Sequence, residues 1–158
     1  MKLRIKGNSI RLRLGQSEVL QLAINGKVEE STTFGPFREQ TLRYTLSASP
    51  DVRDVSANFV NRSITIRVPW SIVHEWVTTD QVSIDALQRN SVDVDLRILI
   101  EKDFECIDPA PGESQEDAFP NPEFGAACAP LTPAGNLSPA YVQSINQEIN
   151  SCTPTTLH

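Results

Sequence analysis

Apolar and polar residues alternate from the start of the chain. Leu3 and Ile5 sit between charged residues, Gly7-Asn8 interrupts, and Ile10, Leu12 and Leu14 alternate again. Strict period two on both sides of a turn predicts a hairpin of two half-buried strands. Over residues 16–25 the period lengthens. Val19, Leu22 and Ala23 share one helical face, Glu18 falls in the first turn where the helix dipole favours an anion, and Gly26 stands at the C-terminal cap. Strands follow around Val28 and at Leu42-Tyr44-Leu46.

The same order of periods returns after residue 55. Ala57 and Phe59, a turn at Asn61-Arg62, then Ile64, Ile66 and Val68 predict a second hairpin. Val73, Trp76 and Val77 predict a second short helix, and Val82-Ile84 and Leu96-Ile98-Ile100 two further strands. Shifting the sequence by 54 residues superposes Ser9-Ile10 on Ser63-Ile64, Arg13 on Arg67, Ser17 on Ser71 and Val19 on Val73. Val28 then falls on Val82 and Leu42-Arg43 on Leu96-Arg97. The expected body, residues 1–104, is therefore a tandem ββαββ duplication with copies at 2–48 and 56–102. Two ten-residue helices, each about 15 Å long, are too short to cover a flat sheet of eight strands. The expected fold class is α+β: a strongly curved or barrel-like antiparallel sheet of about eight strands, with two short helices and a Pro-rich tail.

Charge changes the picture of that sheet's other face. The net charge of −6 averages two unlike parts. All Lys and Arg lie in residues 1–102, which sum to +2, and residues 103–158 carry −8. The residues that alternate with the apolar ones include Lys2, Arg4, Lys6, Arg11, Arg13, Arg43, Arg67 and Arg97. On one face these would form a basic surface able to hold a small phosphate-bearing anion, because guanidinium groups match phosphate bidentately. A merely solvated face, or one that meets an acidic protein partner in a structural or protein-interaction module, is the alternative. Nucleic acid fits poorly, since the aromatic residues alternate onto the apolar side and provide no stacking platform.

Other chemistry is sparse. Glu101 and Asp103 fall on the same face of a strand about 7 Å apart and are the candidate ligands of a divalent cation; pairing with nearby arginines competes for them. Gly-Lys-Ser/Thr is absent, and His74 and His158 form no triad with their sequence neighbours. Cys106, Cys128 and Cys152 have no Cys-x-x-Cys spacing. No apolar run reaches the roughly 20 residues of a membrane helix, and the N-terminus lacks the apolar stretch of a signal peptide. A cytoplasmic location is expected from these.

The tail, residues 105–158, contains eight of the 11 prolines. Ser138-Pro139 reads as an N-cap and N1 pair opening a helix over 139–149. Phe119 and Phe124 stand among acids as anchors for a strap over 113–124 across the sheet or its rim, with its acids near the basic residues. A disordered leash, the default for this composition, is the alternative.

Lys2-Leu-Arg-Ile-Lys-Gly-Asn-Ser-Ile-Arg-Leu-Arg-Leu14, Leu96-Arg-Ile-Leu-Ile-Glu-Lys-Asp-Phe104 and Phe119-Pro-Asn-Pro122 resemble a family of small uncharacterised bacterial proteins. That resemblance implies a bacterial origin and no activity. Counted from the second strand, the element order is also similar to that of the CYTH-like triphosphate tunnel enzymes. Those use an eight-stranded barrel with a charged lumen and a divalent metal, so the likeness implies a metal-dependent triphosphate hydrolase as a third reading. Their Glu-x-Glu-x-Lys motif is replaced here by Lys2-x-Arg4-x-Lys6.

Overall fold

A computed structural model describes residues 1–91, 94–106 and 115–121. Each predicted element of the body forms. The first hairpin consists of β1 (Lys2–Ile5) and β2 (Ser9–Leu14), followed by α1 (Gln16–Asn25), β3 (Lys27–Thr33) and β4 (Thr41–Ser49). Then come β5 (Ser56–Val60), β6 (Ser63–Pro69), α2 (Trp70–Thr78), β7 (Ser83–Ser91) and β8 (Val94–Lys102). A single turn of 3-10 helix at Arg38–Gln40 precedes β4. Local chemistry explains the boundaries. Gly26 ends α1 at φ 66, where its N–H donates to Leu22 O at 2.9 Å. Asn61 and Arg62 both take positive φ in the β5–β6 turn, the conformation whose twist matches a two-residue hairpin.

The strands form two sheets of four, ordered β1-β2-β8-β7 and β3-β4-β6-β5. The expected single curved or barrel-like sheet of eight strands is thus corrected. Hairpins are antiparallel, as expected, but the central pair of each sheet, β2 with β8 and β4 with β6, is parallel. Each sheet draws one strand pair from either side of residue 50. Among the described residues no backbone ladder joins β1 to β3 or β5 to β7, and side chains bridge these places instead. The Met1 ammonium pairs with Glu18 of α1 and Glu30 of β3, and Tyr44 Oη donates to Glu30 Oε2 at 2.6 Å. Gln88 of β7 accepts from Ala57 N at 2.5 Å and donates to Ala57 O at 3.1 Å. A carboxamide thus satisfies backbone groups that a neighbouring strand would satisfy in a closed barrel.

One core serves both sheets and both helices. Leu12, Leu14, Ile98 and Ile100 from the first sheet join Leu46, Ile66 and Val68 from the second, with Leu22, Val73 and Trp76 from the helices. All ten are essentially inaccessible, each stabilising the fold by about 1.5–3 kcal/mol through burial. Lys102 also points inward. Its ammonium donates to Thr79 O at 2.8 Å and lies 5.8 Å from the Trp76 and Phe119 ring centroids, and burial pushes its pKa down.

Residues 115–121 lie across the N-terminus of α1 and the end of β8. The N-cap of α1 is Gly15, which has no side chain to offer, and the oxygen comes from Asp117. Asp117 Oδ1 accepts from Ser17 N at 2.9 Å, Oδ2 accepts from Ser17 Oγ at 2.7 Å, and its carbonyl accepts from Gln16 N at 2.8 Å. A Cβ on Gly15 would stand 2.1 Å from Asp117 Oδ2, so glycine is what lets the segment approach. Phe119 pairs its backbone with Asp103 and Glu105 and its ring with Phe104, centroids 5.9 Å apart. Asp117 of this strap therefore sits at a helix N-terminus rather than on a basic face. The predicted helix at 139–149, Phe124, Cys128, Cys152 and His158 lie outside the described residues.

Candidate anion-binding site

Alternation along β1, β2 and β8 sends their basic side chains, Lys102 excepted, to the face opposite the core. Register then sets neighbours: Arg4 lies beside Arg11, Lys2 beside Arg13, and Ser9 beside Arg97. The tight turn between β1 and β2 brings Lys6 to the same place. Gly7 adopts φ 55 there. Lys6 N donates to Ser9 O at 3.1 Å, and Ser9 Oγ donates to Lys6 O at 2.6 Å. Asn8 fastens this turn to β8, its carboxamide donating to Asp95 O and its carbonyl accepting from Arg97 N at 3.1 Å. The result is a shallow concavity of about 270 Å³ walled by Arg4, Lys6, Arg11 and Arg97 with Ser9, Ile10 and Leu99.

The four cations are not equivalent. Arg97 makes a bidentate pair with Asp85, Nε–Oδ1 at 3.1 Å and Nη2–Oδ2 at 2.6 Å. That pair holds the Asp85 carboxyl below its usual range and raises the guanidinium. Arg11 Nε donates to Glu101 Oε2 at 2.5 Å, and Arg13 Nε reaches the same oxygen at 3.4 Å. Among the described residues, Arg4 and Lys6 have no carboxylate partner. Two uncompensated cations thus face two whose charge is shared with acids on β7 and β8.

The basic residues expected on one face occupy two. Lys2, Arg4, Lys6, Arg11, Arg13 and Arg97 share the outer face of the first sheet. Arg43 and Arg67 are exposed on the outer face of the second, among Ser47, Thr45, Thr65 and Ser63. Period two tells inside from outside on each strand, and two sheets sharing a core have two outsides. On the second sheet Lys27 pairs with Glu29 at 2.8 Å and, with a hydrogen bond from Thr45, holds that carboxyl low.

Glu101 faces Arg11 and Arg13, and Asp103, mostly buried beyond the end of β8, accepts from Lys2 Nζ at 2.9 Å. Among the described residues no group of three or more His, Cys, Asp or Glu is gathered to hold a metal ion. His74 lies on α2, and Cys106 is an exposed free thiol. No helix among the described residues is long and apolar enough to cross a membrane. Sequence reasoning passed over Asp85 and the Gly7-Asn8 turn as parts of the site. The signal for Asp85 is its period-two position on the charged face. In the antiparallel β7–β8 register Leu87 stands opposite Arg97, and Asp85 reaches Arg97 diagonally from two residues away.

A family model described as "Family of unknown function (DUF7009)" matches residues 1–123. No curated protein and no solved structure matches the chain.

Proposed function

The chain belongs to this family of unknown function, and from that premise we propose that it is a binding module for a small phosphate-bearing anion. The observation that carries the reading is the concavity in which Arg4 and Lys6, beside Arg11 and Arg97, have no acidic partner among the described residues. Confining like charges on adjacent strands costs stability that an anion removes, and both guanidinium and ammonium groups donate to phosphate oxygens. Arg43 and Arg67 play no part in this site. Glu101 and Asp103 act as counter-charges for Arg11, Arg13 and Lys2, a role that competes with holding a divalent cation for triphosphate hydrolysis. We read the two halves as an internal duplication, supported by the repeated order of elements and the 54-residue spacing of β1 from β5 and β2 from β6.

Pyrophosphate titrated into the protein should bind and raise its melting temperature by mass action. Arg4→Ala with Arg11→Ala should weaken binding at least tenfold, while Arg43→Ala with Arg67→Ala should leave it within twofold. Equal losses in both double variants, or no binding of any phosphate, would sink the proposal. The second reading, a protein-interaction module, draws on Phe34 and Phe37, 72% and 67% exposed in the β3–β4 connection.

A further inference from the structure

The β1–β2 hairpin separates two unlike concavities. Its outer face carries the basic one. Its inner face borders a cleft of about 630 Å³ that opens between the two sheets, walled by Ile5, Ile10, Leu42, Phe59, Ile64 and Leu96. Ser9 and Ile10 line both, so the concavities meet at the end of the hairpin. Among the described residues no charged side chain lines the cleft; its polar members are amides and a serine. Ile5 and Phe59 remain 56% and 65% exposed at its mouth. Single apolar residues on a surface call for no explanation, but a contiguous apolar wall in a concave cleft does. The volume lies within the range of small-molecule sites.

We propose that the ligand is an amphipathic anion. Its phosphate-type head is held by Arg4, Lys6 and Arg11, and a flexible apolar chain turns round the hairpin end at Ser9 and Ile10 into the cleft. Charge divides where such a ligand divides: four cations line one side, and among the described residues an apolar wall without charge lines the other. An anion alone leaves the cleft wall wet, and an apolar ligand alone leaves Arg4 and Lys6 uncompensated. This inference rests on the anion-binding reading above and names the class of ligand for the same site.

The test is calorimetric titration of the full chain with inorganic phosphate, with butyl, hexyl and octyl phosphate, and with octanol. Affinity should rise along the series by up to about fourfold for each methylene buried. Ile5→Asn with Phe59→Ser, at positions too exposed to carry the fold, should flatten the series and leave inorganic phosphate unchanged. Ala57→Trp, which fills the cleft from β5, should do the same if its circular dichroism stays native. Arg4→Ala with Lys6→Ala should weaken every phosphate alike. Equal affinities for inorganic and octyl phosphate would overturn the apolar half of the proposal and leave the anion site standing. Octanol binding as tightly as octyl phosphate would overturn the link between head and chain. Failure of every phosphate to bind would overturn the anion site and this inference with it.

Discussion

Removing the Asp117 carboxylate tests how the 115–121 strap is held. In Asp117→Ala, Ser17 N and Ser17 Oγ lose acceptors at 2.9 and 2.7 Å, while the backbone bond from Gln16 N to Asp117 O remains possible. Loss of an N-cap side chain costs about 0.5–2 kcal/mol, and an anion at a helix N-terminus adds about 0.3–1 kcal/mol that overlaps with it. Ser17 is exposed, so water recovers part of both. The expected cost is about 1–2 kcal/mol, seen as a lower urea midpoint with an unchanged slope. In thermal melts it is a fall of about 2–8 °C for a chain of this size. Gly15→Ala sharpens the test, because its Cβ meets the carboxylate at 2.1 Å and the Asp117 backbone oxygen at 2.8 Å. In the Asp117→Ala background the first collision disappears, so the two substitutions should be non-additive by about 0.5–1 kcal/mol or more. A cost under about 0.3 kcal/mol for Asp117→Ala, or strict additivity with Gly15→Ala, would refute the cap supplied from a distance.

Two more outcomes follow from the ion pairs. Asp85→Ala releases Arg97 from its bidentate partner and should tighten pyrophosphate binding about two- to fivefold at low salt, the gain fading as salt screens it; an unchanged affinity would place Arg97 outside the site. Tyr44 is buried and donates to Glu30, and together these push its pKa up to about 12. A folded-state pKa raised above the unfolded value of about 10 gives stability that is whole below pH 10 and lost as pH rises toward 12. Tyr44→Phe should therefore unfold less steeply across that window and lose the tyrosinate absorbance step near pH 12. The chain has a second tyrosine, Tyr141, so the result that would contradict the Tyr44–Glu30 bond is a step near pH 10 in the folded protein that Tyr44→Phe removes.

The elements were legible because each is written locally. Ile10, Leu12 and Leu14 mark a strand wherever it pairs, and Gly26 ends a helix through its own φ. Pairing is different. The side of β2 that meets β8, in parallel, depends on residues nearly ninety positions away, and period two is silent about neighbours. Arg43 and Arg67 show the consequence: their inward–outward assignment was right, yet they share no face with Arg4 and Arg11. Asp117 was beyond local reading for the same reason. The trace it leaves is negative, a glycine at the N-cap of α1 where a side-chain oxygen would be expected. Lys102 reads as a surface residue by charge alone, whereas its place on the apolar side of β8 puts it inside.

The division of strands between the sheets has a temporal side. All four strands of the second sheet lie within residues 27–69, so it can assemble as one uninterrupted stretch. The first sheet is made of the two ends of the body, and Arg13 must find Glu101 across 88 residues. During synthesis at about 5–20 residues per second, the β1–β2 hairpin waits about 4–18 s for β8, with Ile10, Leu12 and Leu14 lacking part of their cover. The hairpin that carries Arg4, Lys6 and Arg11 is therefore born early and finished late. Like charge on Lys2, Arg4, Lys6, Arg11 and Arg13 opposes pairing between copies of the hairpin over that interval.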